Sequence, residues 1–158
     1  MPKSNSASNS NAPTEFLTVG NEKYAYRRFG SGSQPPLLCL QHFTGTLDNW
    51  DPAVTDALAR RGEVILFESA GIGRSSGKVP VSVAGMAEHA LAFLDGLGIG
   101  SCDVLGFSLG GMVAQQISAR PFIDLSKNGP GRNGAPRRRG HYASGKTESG
   151  EAPSGSEP

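Results

Sequence analysis

The feature that most limits what this chain can fold into is a sharp loss of apolar residues after residue 121. Beyond Leu125 the sequence offers only four apolar side chains, Ala135, Tyr142, Ala143 and Ala152. Such a segment cannot bury enough surface to offset the entropy of ordering its backbone. We therefore predict a disordered tail over residues 122–158 and, because the start is rich in Ser and Asn, a disordered leader over residues 1–14. One foldable domain, residues 15–121, remains.

Composition excludes several classes of protein. The 158 residues include 15 basic and 14 acidic side chains, a net charge of +1, which gives no electrostatic footprint for nucleic acid or a membrane surface. No apolar run approaches the ~20 residues that span a bilayer, and the first residues lack the apolar stretch of a secretory signal. Cys39 and Cys102 lie in apolar runs and are predicted to be reduced, buried thiols. We expect a cytoplasmic protein with no cofactor and no metal.

Strand and helix patterns alternate through the foldable domain. Two antiparallel strands are predicted over residues 15–19 and 23–29, joined by a turn at Gly20-Asn21. Apolar runs at residues 37–41, 64–67 and 102–106 are typical of strands covered on both faces. Helices are predicted between and after them, over residues 51–62, 83–97 and 111–119. The pattern predicts an α/β fold: a mostly parallel sheet with antiparallel N-terminal strands and flanking helices.

The pattern Gly-x-Ser-x-Gly occurs twice, centred on Ser75 and on Ser108. A nucleophile elbow requires a strand that runs directly into a helix through a strained serine. Ser108 has this setting, and Gly106 and Gly110 would let the helix pack closely against the strand. Ser75 lacks it, because Gly77 and a nearby proline interrupt any following helix. The alternative for Ser108 is a helix N-cap in another α/β fold.

Two further glycine patterns point to nucleotides, but their settings do not fit. Gly71-Ile72-Gly73 follows a strand, yet Ser76 stands where a dinucleotide-binding turn has its third glycine. Residues 140–147 match the phosphate-loop pattern without the strand and helix that such a loop joins. A Rossmann-type nucleotide-binding domain therefore remains a less favoured alternative.

Three sequence blocks, in this order, resemble the α/β-hydrolase superfamily over about residues 16–121. They are LLCLQHFTGTLDNW at 37–50, VILFESAGIGRSSG at 64–77 and DVLGFSLGGMVAQ at 103–115. The resemblance implies that Ser108 is the nucleophile, that the backbone amides of Phe43 and Leu109 form an oxyanion hole, and that Gly106 and Gly110 are the elbow glycines. It also implies a small-molecule ester or related carbonyl substrate and a covalent acyl intermediate.

The chain departs from the family pattern in three ways. Gln41-His42 replaces the usual His-Gly, so that loop must form without the glycine. Glu68 replaces an aspartate and is interpreted as a structural loop carboxylate. The acid and histidine that follow the serine in the family have no matching positions. His42 is either near the site or a loop or core histidine, and His89, in the middle of a helix, is expected to be structural.

Without a base, the serine hydroxyl stays protonated and weakly nucleophilic. The sequence therefore predicts the N-terminal half of an α/β-hydrolase, truncated and inactive as this chain. The alternative is a non-catalytic fragment or a partner-binding module.

Two expectations follow from the missing half. The strand at residues 102–106 is central in the family's sheet, so its open edge would favour self-association or chaperone binding. The tail itself is interpreted as an out-of-frame reading: shifting residues 127–140 by one base permits KMVLVGTAPRGGE, which resembles the family's next strand. A frameshift or a mispredicted splice would explain it, and the nucleotide sequence decides.

Overall fold

The computed structural model describes residues 8–119, and its centre is a five-stranded sheet. The predicted tail and the phosphate-loop match at residues 140–147 lie outside these residues. The strands are β1 (Glu15–Val19), β2 (Glu22–Phe29), β3 (Leu37–Leu40), β4 (Val64–Phe67) and β5 (Asp103–Gly106).

The strand order is β1-β2-β4-β3-β5. The β1–β2 and β2–β4 pairs are antiparallel, whereas β3 pairs in parallel with β4 and with β5. Leu38 marks the register, since it lies opposite Ile65 on one side and Val104 on the other. The predicted α/β fold, with its antiparallel N-terminal strands, is therefore confirmed.

Three helices cover the two faces of the sheet: α1 (Pro52–Ala59), α2 (Val83–Gly96) and α3 (Leu109–Ser118). Helices α2 and α3 lie on one face, where their buried residues join Leu40 and Phe67 in the larger core cluster. Helix α1 lies on the other face, with Ala59 in a second cluster around Phe29 and Trp50. Continuous apolar runs form β3 and β4 because both of their faces are covered in this way.

Residues 8–14 differ from the predicted disordered leader. The Asn9 amide donates to the Asp56 carboxylate at 2.7 Å, and Arg27 donates to the Asn9 side chain at 3.2 Å. Ala12 is buried against the cluster that holds Phe29. These contacts give the segment enough burial and hydrogen bonding to take one conformation, which polar composition alone did not indicate.

Element boundaries differ from the prediction by a few residues. Helix α3 begins at Leu109 rather than at residue 111, and β3 ends at Leu40 rather than at residue 41. A short 3₁₀ helix at Leu47–Asn49 was not predicted. Both cysteines are reduced and buried, as predicted. Within residues 8–119, no helix is long and apolar enough to cross a membrane.

Candidate active site

Ser108 lies at the sharp turn between β5 and α3. Its backbone has φ 55° and ψ −122°, and it is the one residue other than glycine with positive φ in the described part of the chain. A backbone held in such a region costs of order 1–3 kcal/mol. The side chain is exposed and makes no capping hydrogen bond to α3. The hydroxyl therefore does not serve as an N-cap and projects from a strained strand-to-helix turn.

The two glycines beside Ser108 are required by close packing. A Cβ at Gly106 would lie 2.5 Å from the Cα of Gly111. A Cβ at Gly110 would lie 2.6 Å from the Gln41 carbonyl oxygen, closer than real Cβ atoms come. Helix α3 can therefore begin directly beside the carboxyl ends of β5 and β3 because both positions lack a side chain.

Phe43 and Leu109, predicted to supply the oxyanion-hole amides, line the same crevice at the carboxyl end of the sheet. Neither backbone N–H donates a hydrogen bond to another residue of the described range. The rest of the crevice is mostly apolar, lined by Leu40, Phe67, Ile72, Val79, Met86, Ala90 and Val113. The structure thus brings both residues to one crevice beside the serine turn.

The two described histidines have different surroundings. His42 lines the crevice, and its ring meets that of Phe107 edge-on, with 6.1 Å between centroids. His89 lies on α2, where its Nδ1 is 2.5 Å from the Tyr24 hydroxyl. Burial, with a smaller contribution from the charge of Glu22, raises the pKa of Tyr24. Neither imidazole is hydrogen-bonded to Ser108 within residues 8–119.

The other Gly-x-Ser-x-Gly serine has a structural role. The Ser75 hydroxyl donates to the Glu68 carbonyl at 2.8 Å and accepts from the Ala25 amide at 2.9 Å. The Glu68 carboxylate is buried and accepts from the amides of Leu47 and Arg74 at 3.1 and 2.6 Å. Both side chains therefore fix the loop after β4 to its neighbours, which agrees with the interpretation of Glu68 as a structural loop carboxylate.

Gln41 contributes to this site in a way that the sequence pattern did not predict. The sequence marked Gln41 only as a departure from the family pattern, whereas its side-chain oxygen accepts a hydrogen bond from the His42 amide at 3.0 Å. The available signal was a glutamine directly after a buried strand, with Gly45 four residues later. Among the described residues, no three His, Cys, Asp or Glu side chains converge as a group able to hold a metal ion.

A family profile for the alpha/beta hydrolase fold matches residues 35–122, more than half of the chain. The chain belongs to the α/β-hydrolase fold family. The matched range runs from β3 through α3, so it contains the loop after β3, the serine turn and both elbow glycines.

Known α/β-hydrolase fold proteins resemble the chain over its folded part. An alpha/beta hydrolase fold protein from Chitinophaga pinensis is 49% identical, with a TM-score of 0.68, over 70% of this chain and 40% of that one. A protein named carbamate hydrolase RutD from Azorhizobium caulinodans is 32% identical over 63% of this chain and 37% of its own length. The pimeloyl-[acyl-carrier protein] methyl ester esterase of Aeromonas hydrophila is 38% identical over 58% and 34%.

These matches cover a minority of each relative. The chain spans between about one third and two fifths of the length of these three proteins. Its membership of the α/β-hydrolase fold family rests on the family profile over residues 35–122 and on the fold.

Proposed function

We propose that the chain carries the nucleophile and the oxyanion donors of a serine hydrolase for esters or related carbonyl compounds such as carbamates. The observation that carries the proposal is the turn at Ser108. There a strained, exposed serine, whose hydroxyl has no hydrogen bond to a described residue, lies beside the crevice lined by Phe43 and Leu109. The similarity to a carbamate hydrolase and a methyl ester esterase supports the same class of substrate.

The proposed reaction follows from the chemistry of these groups. The Ser108 oxygen attacks the substrate carbonyl carbon and loses its proton to solvent water. The leaving group departs with the electron pair of its bond to that carbon, and an acyl ester remains on the serine. The carbonyl oxygen, which becomes negatively charged in the tetrahedral intermediate, accepts hydrogen bonds from the Phe43 and Leu109 amides. Each such donor is typically worth about 3–4 kcal/mol of transition-state stabilisation. The mostly apolar lining of the crevice favours an acyl group with little polarity.

We further propose that this chain turns over slowly. No described histidine is hydrogen-bonded to Ser108, so within residues 8–119 no imidazole takes the hydroxyl proton or activates the water that releases the acyl group. An activated ester, whose leaving group needs no protonation, should therefore acylate Ser108 once and leave it acylated.

The test is burst kinetics with a p-nitrophenyl ester of a short fatty acid. We expect the wild-type chain to release at most one equivalent of nitrophenol and Ser108→Ala to release none above background. Ser69→Ala is the matched control, because Ser69 lines the same crevice but does not lie at the strained turn. Equal release by the wild type and Ser108→Ala would overturn the proposal and favour a non-catalytic, partner-binding role, for which the outer edge of β5 is the candidate surface.

A further inference from the structure

The loop that follows β3 is held by the side chain of its first residue. The Gln41 side-chain oxygen accepts from the His42 amide at 3.0 Å, and the Gly45 amide donates to the His42 carbonyl at 2.9 Å. The Gln41 side chain folds over Gly45, where an added Cβ would lie 2.9 Å from the Gln41 Cβ and closer still to its Cγ. The backbone N–H and the backbone C=O of His42 are thus both hydrogen-bonded.

Of two adjacent amides in this loop, the His42 N–H is bonded to Gln41, whereas the Phe43 N–H has no acceptor among the described residues. Phe43 lines the crevice and is exposed, so this N–H is open to water or to a bound group. A negatively charged oxygen bound in the crevice would supply that acceptor.

The same loop is joined directly to the serine turn. The Phe107 amide donates to the Leu40 carbonyl at 2.9 Å, which ties the end of β5 to the end of β3. The first turn of α3 lies against the Gln41 carbonyl, with no room for a Cβ at Gly110. The edge-on contact of the His42 and Phe107 rings adds a third connection. A shift of the Gln41–His42 peptide would therefore move Phe43 relative to Ser108.

We propose that Gln41 is a positioning residue, whose side-chain oxygen holds the His42 peptide so that the Phe43 amide points at the reacting oxygen. The inference rests on the proposed function for its catalytic consequence, because Phe43 acts as an oxyanion donor only if Ser108 acts as the nucleophile. The hydrogen bond itself is testable without turnover.

Three substitutions separate the hydrogen bond from side-chain size. Gln41→Met keeps the length of the side chain and removes the acceptor, whereas Gln41→Glu keeps an acceptor oxygen at the same distance from the backbone. Gln34→Met makes the same chemical change on an exposed loop away from the crevice. Two readouts are needed: exchange of the His42 amide proton by NMR, and the acylation rate constant and apparent substrate affinity in the burst assay.

We expect Gln41→Met to speed exchange of the His42 amide at least ~10-fold and to lower the acylation rate constant ~10- to 100-fold, part of the loss seen when an oxyanion donor is removed. Apparent affinity should stay within ~2-fold, because the oxyanion contact strengthens only as the carbonyl oxygen becomes charged. Gln41→Glu should keep the His42 amide protected, and Gln34→Met should match the wild type in both assays.

Two results would overturn the inference. The first is a His42 amide proton that stays protected from exchange in Gln41→Met. The second is a Gln41→Met variant in which this protection is lost while the rate constant of Ser108-dependent acylation does not change. A wild-type chain without Ser108-dependent acylation would instead overturn the proposed function, and with it the catalytic consequence, while the exchange data would still decide whether Gln41 holds the loop.

Discussion

Ser75 and Ser108 occupy the same position of the same five-residue pattern, yet their hydroxyls have opposite surroundings. Ser75 is buried and its hydroxyl is bonded to the backbone of Ala25 and Glu68. Ser108 is exposed and its hydroxyl is bonded to no described residue. The local sequence makes this difference, because a strand and a helix flank Ser108 directly while glycine and proline follow Ser75.

This contrast predicts opposite effects on stability. Ser75→Ala leaves the buried Ala25 N–H without its acceptor, so it should lower the free energy of unfolding by about 1–3 kcal/mol. Ser108→Ala removes no hydrogen bond and should change it by less than ~0.5 kcal/mol. Urea unfolding of both variants measures the difference. A loss in Ser108→Ala as large as that in Ser75→Ala would mean that the elbow serine is structural.

Cys39 gives a prediction about pH. Burial raises the pKa of Cys39 to about 12, so at pH 8 only about 10⁻⁴ of this thiol is ionised in the folded chain. We expect it to resist iodoacetamide at pH 8 until urea exposes it, as mass mapping of the alkylated peptide would show. Because the unfolded thiol has a pKa of ~8.5, stability should be unaffected below that pH and fall as pH rises from ~8.5 toward 12. Rapid native labelling of Cys39 would contradict its burial.

At the scale of elements, two glycines lie where α3 packs against β3 and β5, and replacing one or the other should change the free energy of unfolding in opposite directions. Gly110→Ala would place a Cβ 2.6 Å from the Gln41 carbonyl oxygen, so α3 must shift and the free energy of unfolding should fall by about 1–3 kcal/mol. Gly111→Ala is the matched control: its Cβ would lie 3.5 Å from the Gly106 oxygen, an ordinary contact. Because alanine favours helix, that variant should gain up to ~1 kcal/mol. Urea midpoints of the two variants test this, and equal losses would show that packing against β3 is not the constraint.

The elements themselves were largely predictable, and the reasons are local. Periodicity and turn residues located all five strands and three helices, since β3 and β4 are continuous apolar runs and α2 repeats its buried residues at helical spacing. The turn at Ser108 was predictable because the strand, serine and helix are contiguous.

What the sequence could not predict depends on contacts between distant residues. Asn9 and Ala12 look like part of a polar leader, and only their contacts with Asp56 and the Phe29 cluster give them fixed positions. The Gln41 hydrogen bond depends on a side-chain conformation rather than on a pattern. Helix α3 begins at Leu109 because Ser108 takes positive φ, a backbone state that apolar spacing does not report.

At the scale of the whole molecule, the described sheet ends in two edge strands, β1 and β5. Within residues 8–119, β5 pairs with β3 alone. The Asp103 amide donates to the carbonyl of Pro36, just before β3, and the Phe107 amide donates to the carbonyl of Leu40, at the end of β3. Since alternate residues of a strand bond to the same neighbour, the N–H of Val104 faces the outer edge. An edge of this kind is a template for another strand.

We therefore expect the chain to self-associate through β5, with an apparent mass above that of the monomer that rises with concentration. Val104→Pro removes the outward N–H without touching the bonds to β3, so it should shift the population toward monomer, as proline does on natural edge strands. Val104→Ala shortens the side chain but keeps the N–H, and it should remain associated. Size-exclusion chromatography with light scattering across a concentration series measures all three. A monodisperse wild-type monomer with a sharp, cooperative melt would show that this edge is already covered.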